Sequence, residues 1–140
     1  MIVDDEPNIR RVASLIIEPL NYNIITAKNG IEGFNLANEK KPDIIFSDIL
    51  MPKCDGYDFC IKLKSNENTK DIPFIILTNT HNDTIQHRSH NAEIDDYLIK
   101  PFTSNSILEK IKKWGITNQL SQQTHLATIK STQKNPNNVS

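Results

Sequence analysis

Five residues of the 140-residue chain have the types and spacing to do chemistry together: Asp4, Asp5, Asp48, Thr78 and Lys100. Each closes a short segment that reads as a strand: Met1-Ile2-Val3 before Asp4 and Asp5, Ile44-Ile45-Phe46 before Asp48, Pro73 to Leu77 before Thr78, and Ile94 to Ile99 before Lys100. Short apolar runs bounded by turn signals read as buried strands. Parallel strands in an open α/β sheet share one carboxyl edge, and ligands bind just beyond it, so these side chains converge on one pocket. Three carboxylates crowded together repel, which raises their pKa values or recruits a divalent cation. Mg²⁺ is the natural guest, because it prefers hard oxygen ligands and keeps several waters. A carboxylate beside a cation, a hydroxyl and a lysine is a phosphoryl-transfer arrangement: the cations neutralise the phosphoryl oxygens while the aspartate attacks.

The elements that position these residues alternate along the chain. Pro7 suits the first turn of a helix, and Val12, Leu15, Ile16 and Ile17 keep helical spacing, which gives a helix over about 7–20. Ile24-Ile25 before Thr26 and Ala27 is a second strand, ended by the turn signal Asn29-Gly30. Ile31, Phe34, Leu36 and Ala37 mark a helix to about Lys40, and Phe59, Cys60 and Leu63 share one face of a third helix from Tyr57 to about Ser65. Residues 79–93 are helical by their place in the alternation, although only Ile85 and Ala92 are plainly apolar. Thr103 or Ser104 caps a last helix that turns Ile107, Leu108 and Ile111 inward. Five strands alternating with five helices imply a parallel sheet covered on both faces.

Length and composition bound the function. The length is that of one domain. With 16 basic and 17 acidic residues, no basic nucleic-acid footprint covers the chain. From Trp114 to Ser140 there are two lysines, Lys130 and Lys134, and no acid, so residues 1–113 carry −3 of the net −1. Cys54 and Cys60 fit neither a disulfide framework nor a four-ligand zinc site, and read as free thiols in a reducing compartment. His81, His87 and His90 read as a solvated helix face, and Lys110, Lys112 and Lys113 as a solvated last turn or part of a docking face. No run approaches the ~18 apolar residues of a membrane span, and the expected location is cytoplasmic. Beyond Gly115 the composition turns to Gln, Thr, Ser and Asn, and residues 115–140 are expected to be a polar, disordered tail.

IVDDEP, DILMPKCDG, ILT and KPF, in this order, resemble the receiver domain of two-component response regulators, over residues 1 to about 113. The resemblance implies a flavodoxin-like doubly wound sheet of order 2-1-3-4-5, with a receiver domain over residues 1–114. It implies that Asp48 is the phosphoacceptor, taking a phosphoryl group from a histidine kinase or phosphotransfer protein. Asp5 would then ligate Mg²⁺ directly, Asp4 would hold metal waters, and Asp48 and the backbone carbonyl of Leu50 would complete the protein ligands. Lys100 and the backbone N–H of Asn79 would contact the phosphoryl oxygens. Thr78 and Tyr97 would act as the switch pair, and Pro101 would follow a cis peptide. Output would be altered binding through the face of the fourth helix, fifth strand and fifth helix. Partners would be proteins, with no direct nucleic-acid or membrane binding, and the chain would be a monomer or a weak dimer through that face.

Four departures from the family pattern stand out. Only three residues precede the paired acids, where the family usually has more. Asn79 stands where the family favours a small residue, and Glu93 stands where glycine commonly ends the fourth helix. Leu50, two residues past Asp48, offers nothing to orient an attacking water, so slow autodephosphorylation is expected. Two other functions remain open at this point: a phosphorylation-independent binding module of the same fold, and a Mg²⁺-dependent aspartyl phosphatase. The phosphatase class typically wants a second acid where Leu50 stands.

Overall fold

The computed structural model describes residues 1–79 and 92–115. Five parallel strands form one sheet: β1 (Ile2–Val3), β2 (Thr26–Ala27), β3 (Ile45–Asp48), β4 (Phe74–Thr78) and β5 (Asp96–Ile99). Their order is β2-β1-β3-β4-β5, with every pairing parallel. Among the described residues four α-helices cover it: α1 (Pro7–Ile17), α2 (Gly30–Lys40), α3 (Gly56–Lys64) and α4 (Ser104–Lys110). The expected helix over 79–93, the three histidines and the tail beyond Gly115 lie outside the described residues.

The sheet is apolar on both faces because helices cover both, and this is why its strands read as unbroken apolar runs. Val3, Ile45, Phe74 and Ile76 face a core completed by Phe59, Cys60 and Leu63 of α3 and Ala37 of α2. Ile2, Phe46, Ile75 and Leu77 face the opposite core, with Ala13 and Ile17 of α1 and Ile107 of α4. Phe59 and Phe74 meet edge to face, with ring centroids 5.4 Å apart.

Several boundaries differ from the sequence reading. The second strand pairs at Thr26–Ala27, past Ile24 and Ile25, although Ile25 still accepts a hydrogen bond from the Ile2 N–H. The fifth strand starts at Asp96 instead of Ile94. The first helix ends as α at Ile17 and tightens into a 3₁₀ turn over Glu18–Leu20, where Pro19 cannot continue the ladder. Its buried face also differs: Ala13 and Ile17 are buried while Val12 and Leu15 are exposed, because small Ala13 is what lets α1 approach the sheet. Asn29 proves to be the N-cap of α2, its side chain accepting the Glu32 N–H at 2.9 Å, and Thr103 caps α4 in a reciprocal box with Ser106.

Candidate functional site

The carboxyl ends of β1, β3, β4 and β5 meet at one point on the sheet edge. The register of β4 on β5 pairs Thr78 with Ile99, and the Lys100 N–H donates to the Thr78 carbonyl at 2.7 Å, which carries Lys100 over the ends of the neighbouring strands. Its Nζ lies 3.2 Å from Asp48 Oδ1 and 3.3 Å from Asp4 Oδ2. One lysine therefore serves two acids. The Asp4 side chain is fully buried and that of Asp48 is 15 % exposed. Asp5 is exposed, and carboxylate oxygens of Asp4, Asp5 and Asp48 all lie within 4.8 Å of one another. Three hard oxygen donors with no nitrogen or sulfur among them suit Mg²⁺ better than a softer ion.

Each acid is fixed by its own loop. Asp4 is held at four atoms: its N–H donates to the Ala27 carbonyl, its carbonyl accepts from Arg10 at 2.7 Å, Oδ1 accepts the Glu6 N–H at 2.9 Å, and Oδ2 faces Lys100. Asp48 Oδ1 also accepts the Ile49 N–H at 2.9 Å. The turn after Asp48 closes through the Gly56 N–H, which donates to the Ile49 carbonyl at 2.7 Å. A side chain at Gly56 would collide with the Asp48 carbonyl, so glycine is required there. Asp55 then caps α3 by accepting the Asp58 N–H at 2.9 Å.

The electrostatics are those of acids in excess. Burial and then the charge of Asp4 raise the Asp48 carboxyl above its ordinary value, against the lowering effect of Lys100. Burial alone would depress Lys100, but Asp48 and Asp4 together raise it. A further cation is what this cluster is short of.

The remaining expected residues sit around this centre. Thr78 is buried at the end of β4, and Asn79 is exposed just past it. Tyr97 is half-buried on β5, opposite Ile76, and packs against the core on the α3 side. Leu50 is 79 % exposed at the lip of the site. The Lys100–Pro101 peptide is cis. Both cysteines are buried and free, with burial raising the Cys54 thiol and pushing Cys60 up to about 12. Two features escaped the sequence reading. Arg10 is one, and the signal for it is local: the first turn of a helix starting at Pro7 brings it back over Asp4. Asp96 binds Lys110, Lys113 and Trp114 at the other end of β5, and no local pattern announces that meeting.

The model of the response regulator receiver domain matches residues 1–112. The chain belongs to this family. Receiver domains are phosphoacceptor signalling domains of two-component systems. This receiver is 35 % identical over 112 residues to the DNA-binding dual master transcriptional regulator RpaA of Synechocystis, covering 80 % of this chain and 46 % of that protein. The chain spans about half the length of the first curated relatives it matches. Among solved structures, the chemotaxis protein CheY4 of Vibrio cholerae superposes with a TM-score of 0.76 at 26 % identity, over 81 % of this chain and 94 % of that one. The receiver domain of the sensor histidine kinase PA1611 of Pseudomonas aeruginosa, with a magnesium ion coordinated in its active site cleft, gives 0.75 at 26 % identity, over 81 % and 93 %. Among the described residues no helix is long and apolar enough to cross a membrane.

Proposed function

We propose that Asp48 of this receiver accepts a phosphoryl group from a histidine kinase or phosphotransfer protein in the presence of Mg²⁺. The observation that carries this reading is Lys100 Nζ bridging Asp48 and Asp4 at 3.2 and 3.3 Å, with Asp5 completing an oxygen cluster beside them. Residues 1–114 form the receiver in this reading and 115–140 a polar tail.

In the transfer, an Asp48 carboxylate oxygen forms the new O–P bond as the donor's N–P bond breaks, and the electron pair stays on the imidazole nitrogen. Asp5, Asp48 and the Leu50 carbonyl would hold Mg²⁺, with Asp4 holding its waters, and the bound ion would offset charge on the phosphoryl oxygens. Lys100, already pulled toward Asp48, leaves its Asp4 contact to pair with an incoming oxygen. The Asn79 N–H meets another. The added charge of about −1.5 to −2 draws the Thr78 hydroxyl inward, and half-buried Tyr97 follows. The face built on β5 and the last helix then binds its protein partner differently. The protein is a switch in the cytoplasm rather than a catalyst of metabolite turnover, a monomer or weak dimer through that face.

Incubation with Mg²⁺ and acetyl phosphate or beryllofluoride tests this reading, with Asp48→Ala as control. A stable Asp48-dependent modification supports it. No modification favours a phosphorylation-independent binding module, and sustained hydrolysis of phosphate esters favours an aspartyl phosphatase.

A further inference from the structure

Resting on the reading of Asp4, Asp5 and Asp48 as a Mg²⁺ site, we infer that Arg10 is a positioning residue for that site. Its guanidinium holds the Asp4 carbonyl, and through it the turn that aims both amino-terminal acids. Asp4 is fully buried, and three of its four polar contacts come from the loop and sheet around it: the Ala27 carbonyl, the Glu6 N–H and Lys100. The fourth comes from α1. Arg10 Nη1 donates to the Asp4 carbonyl at 2.7 Å, a short charge-assisted bond from a half-buried side chain.

Asp5 makes this bond matter. It is exposed, and among the described residues none donates a hydrogen bond to its side chain, so its carboxylate is aimed by its backbone alone. The peptide group between Asp4 and Asp5 contains the carbonyl that Arg10 grips. Helix α1 gives the grip its stiffness: the Arg10 and Ile9 N–H groups both donate to the Glu6 carbonyl, and the Arg10 carbonyl accepts the Ser14 hydroxyl at 2.9 Å. The acids are thereby tied to a helix that is itself packed on the sheet through Ala13 and Ile17. Losing an outer partner that orients metal ligands typically costs about ten- to a hundredfold in metal affinity or activity.

Arg10 is also a cation near a cation site, and this gives the inference a test by sign. A residue acting only through its charge would repel Mg²⁺, so its removal would tighten binding. A positioning residue does the reverse. Calorimetric titration of the full chain with MgCl₂ separates the two. Arg10→Gln is expected to weaken Mg²⁺ affinity by roughly tenfold, and Arg10→Lys, which keeps the charge on a shorter single donor, to fall between it and the wild type. Unchanged or tighter binding by Arg10→Gln overturns the inference. Should Arg10→Gln fail to fold, Arg10→Lys decides alone: affinity below wild type supports positioning, and affinity at or above it overturns it. A wild-type chain that binds no Mg²⁺ overturns the metal-site reading itself, whereas wild-type binding with unaffected variants overturns only the role of Arg10.

Discussion

Strand β5 has a carboxylate–lysine cluster at each end, and the two are built in opposite proportions. At its carboxyl end Lys100 is shared by two acids, Asp4 and Asp48. At its amino end one acid, Asp96, takes Lys110 at 3.0 Å, Lys113 at 3.3 Å and the Trp114 Nε1–H at 2.8 Å, all on Oδ2, while Oδ1 accepts the Tyr97 N–H. Burial raises both carboxyls. At Asp48 it prevails with the help of Asp4, whereas at Asp96 the bonds from Trp114 and Lys110 outweigh it and hold the group down to about 2. The same residue types thus leave negative charge in excess in one place, where two acids share one lysine, and compensate it in the other, where one acid receives two lysines and an indole N–H.

The largest effect that would break this contrast is at Asp48. Asp48→Ala is expected to abolish the beryllofluoride adduct completely while leaving the fold as stable as before or more so, since one of two competing buried acids is gone. Residual adduct in an intact-mass measurement, or a clear fall in melting temperature, would place Asp48 among the structural residues.

Next comes Asp96→Asn, expected to cost about 1 kcal/mol at neutral pH, because the bonds from Trp114 and Lys110 hold the carboxyl below its ordinary value while solvent screens part of that interaction. Adduct formation at Asp48 should survive. The two ends should also respond oppositely to acid. The folded Asp96 pKa lies below the ordinary 3.8, so its contribution is complete above that value and is lost as pH falls toward about 2. The folded Asp48 pKa lies above 3.8, so its ionisation destabilises the fold at neutral pH, and that penalty fades as pH falls through the folded value. Urea titrations of the two variants across this range check both signs.

Leu50→Asn sharpens the description of the site. Replacing a lip side chain that is 79 % exposed and cannot bond water with an amide is expected to shorten the acyl-phosphate lifetime severalfold. A wild-type lifetime of only seconds, or no change in the variant, would remove Leu50 as the cause of slow reset. The smallest effect is expected at Glu93, whose φ of 50° puts a side chain where glycine is favoured. Glu93→Gly should raise stability by about 1 kcal/mol and leave adduct formation alone.

Much of this was legible in the chain itself. IVDD, DIIFSD and PFIILT are local patterns: apolar runs buried on two faces, each ending in a polar residue, and such runs fix strand type and put Asp4, Asp48 and Thr78 on one edge wherever the sheet is parallel. Thr103, expected as a cap, likewise accepts a backbone N–H three residues away, and Asn29, expected only as a turn, and Asp55 do the same. What periodicity does not carry is the rotation of a helix about its axis. Both Val12–Leu15 and Ala13–Ile17 have helical spacing, and only the fit of small Ala13 against Ile2 and Phe46 in one core selected the second. Ion pairing is less local still. Lys100 meets Asp48 and Asp4 across 52 and 96 positions, and Asp96 gathers donors 14 to 18 positions away. The sequence by itself determined which acids stand at the sheet edge. Only the tertiary structure decided how many donors each one receives, because a Coulomb interaction or a hydrogen bond depends on separations of about 3 Å between atoms that the chain order leaves far apart.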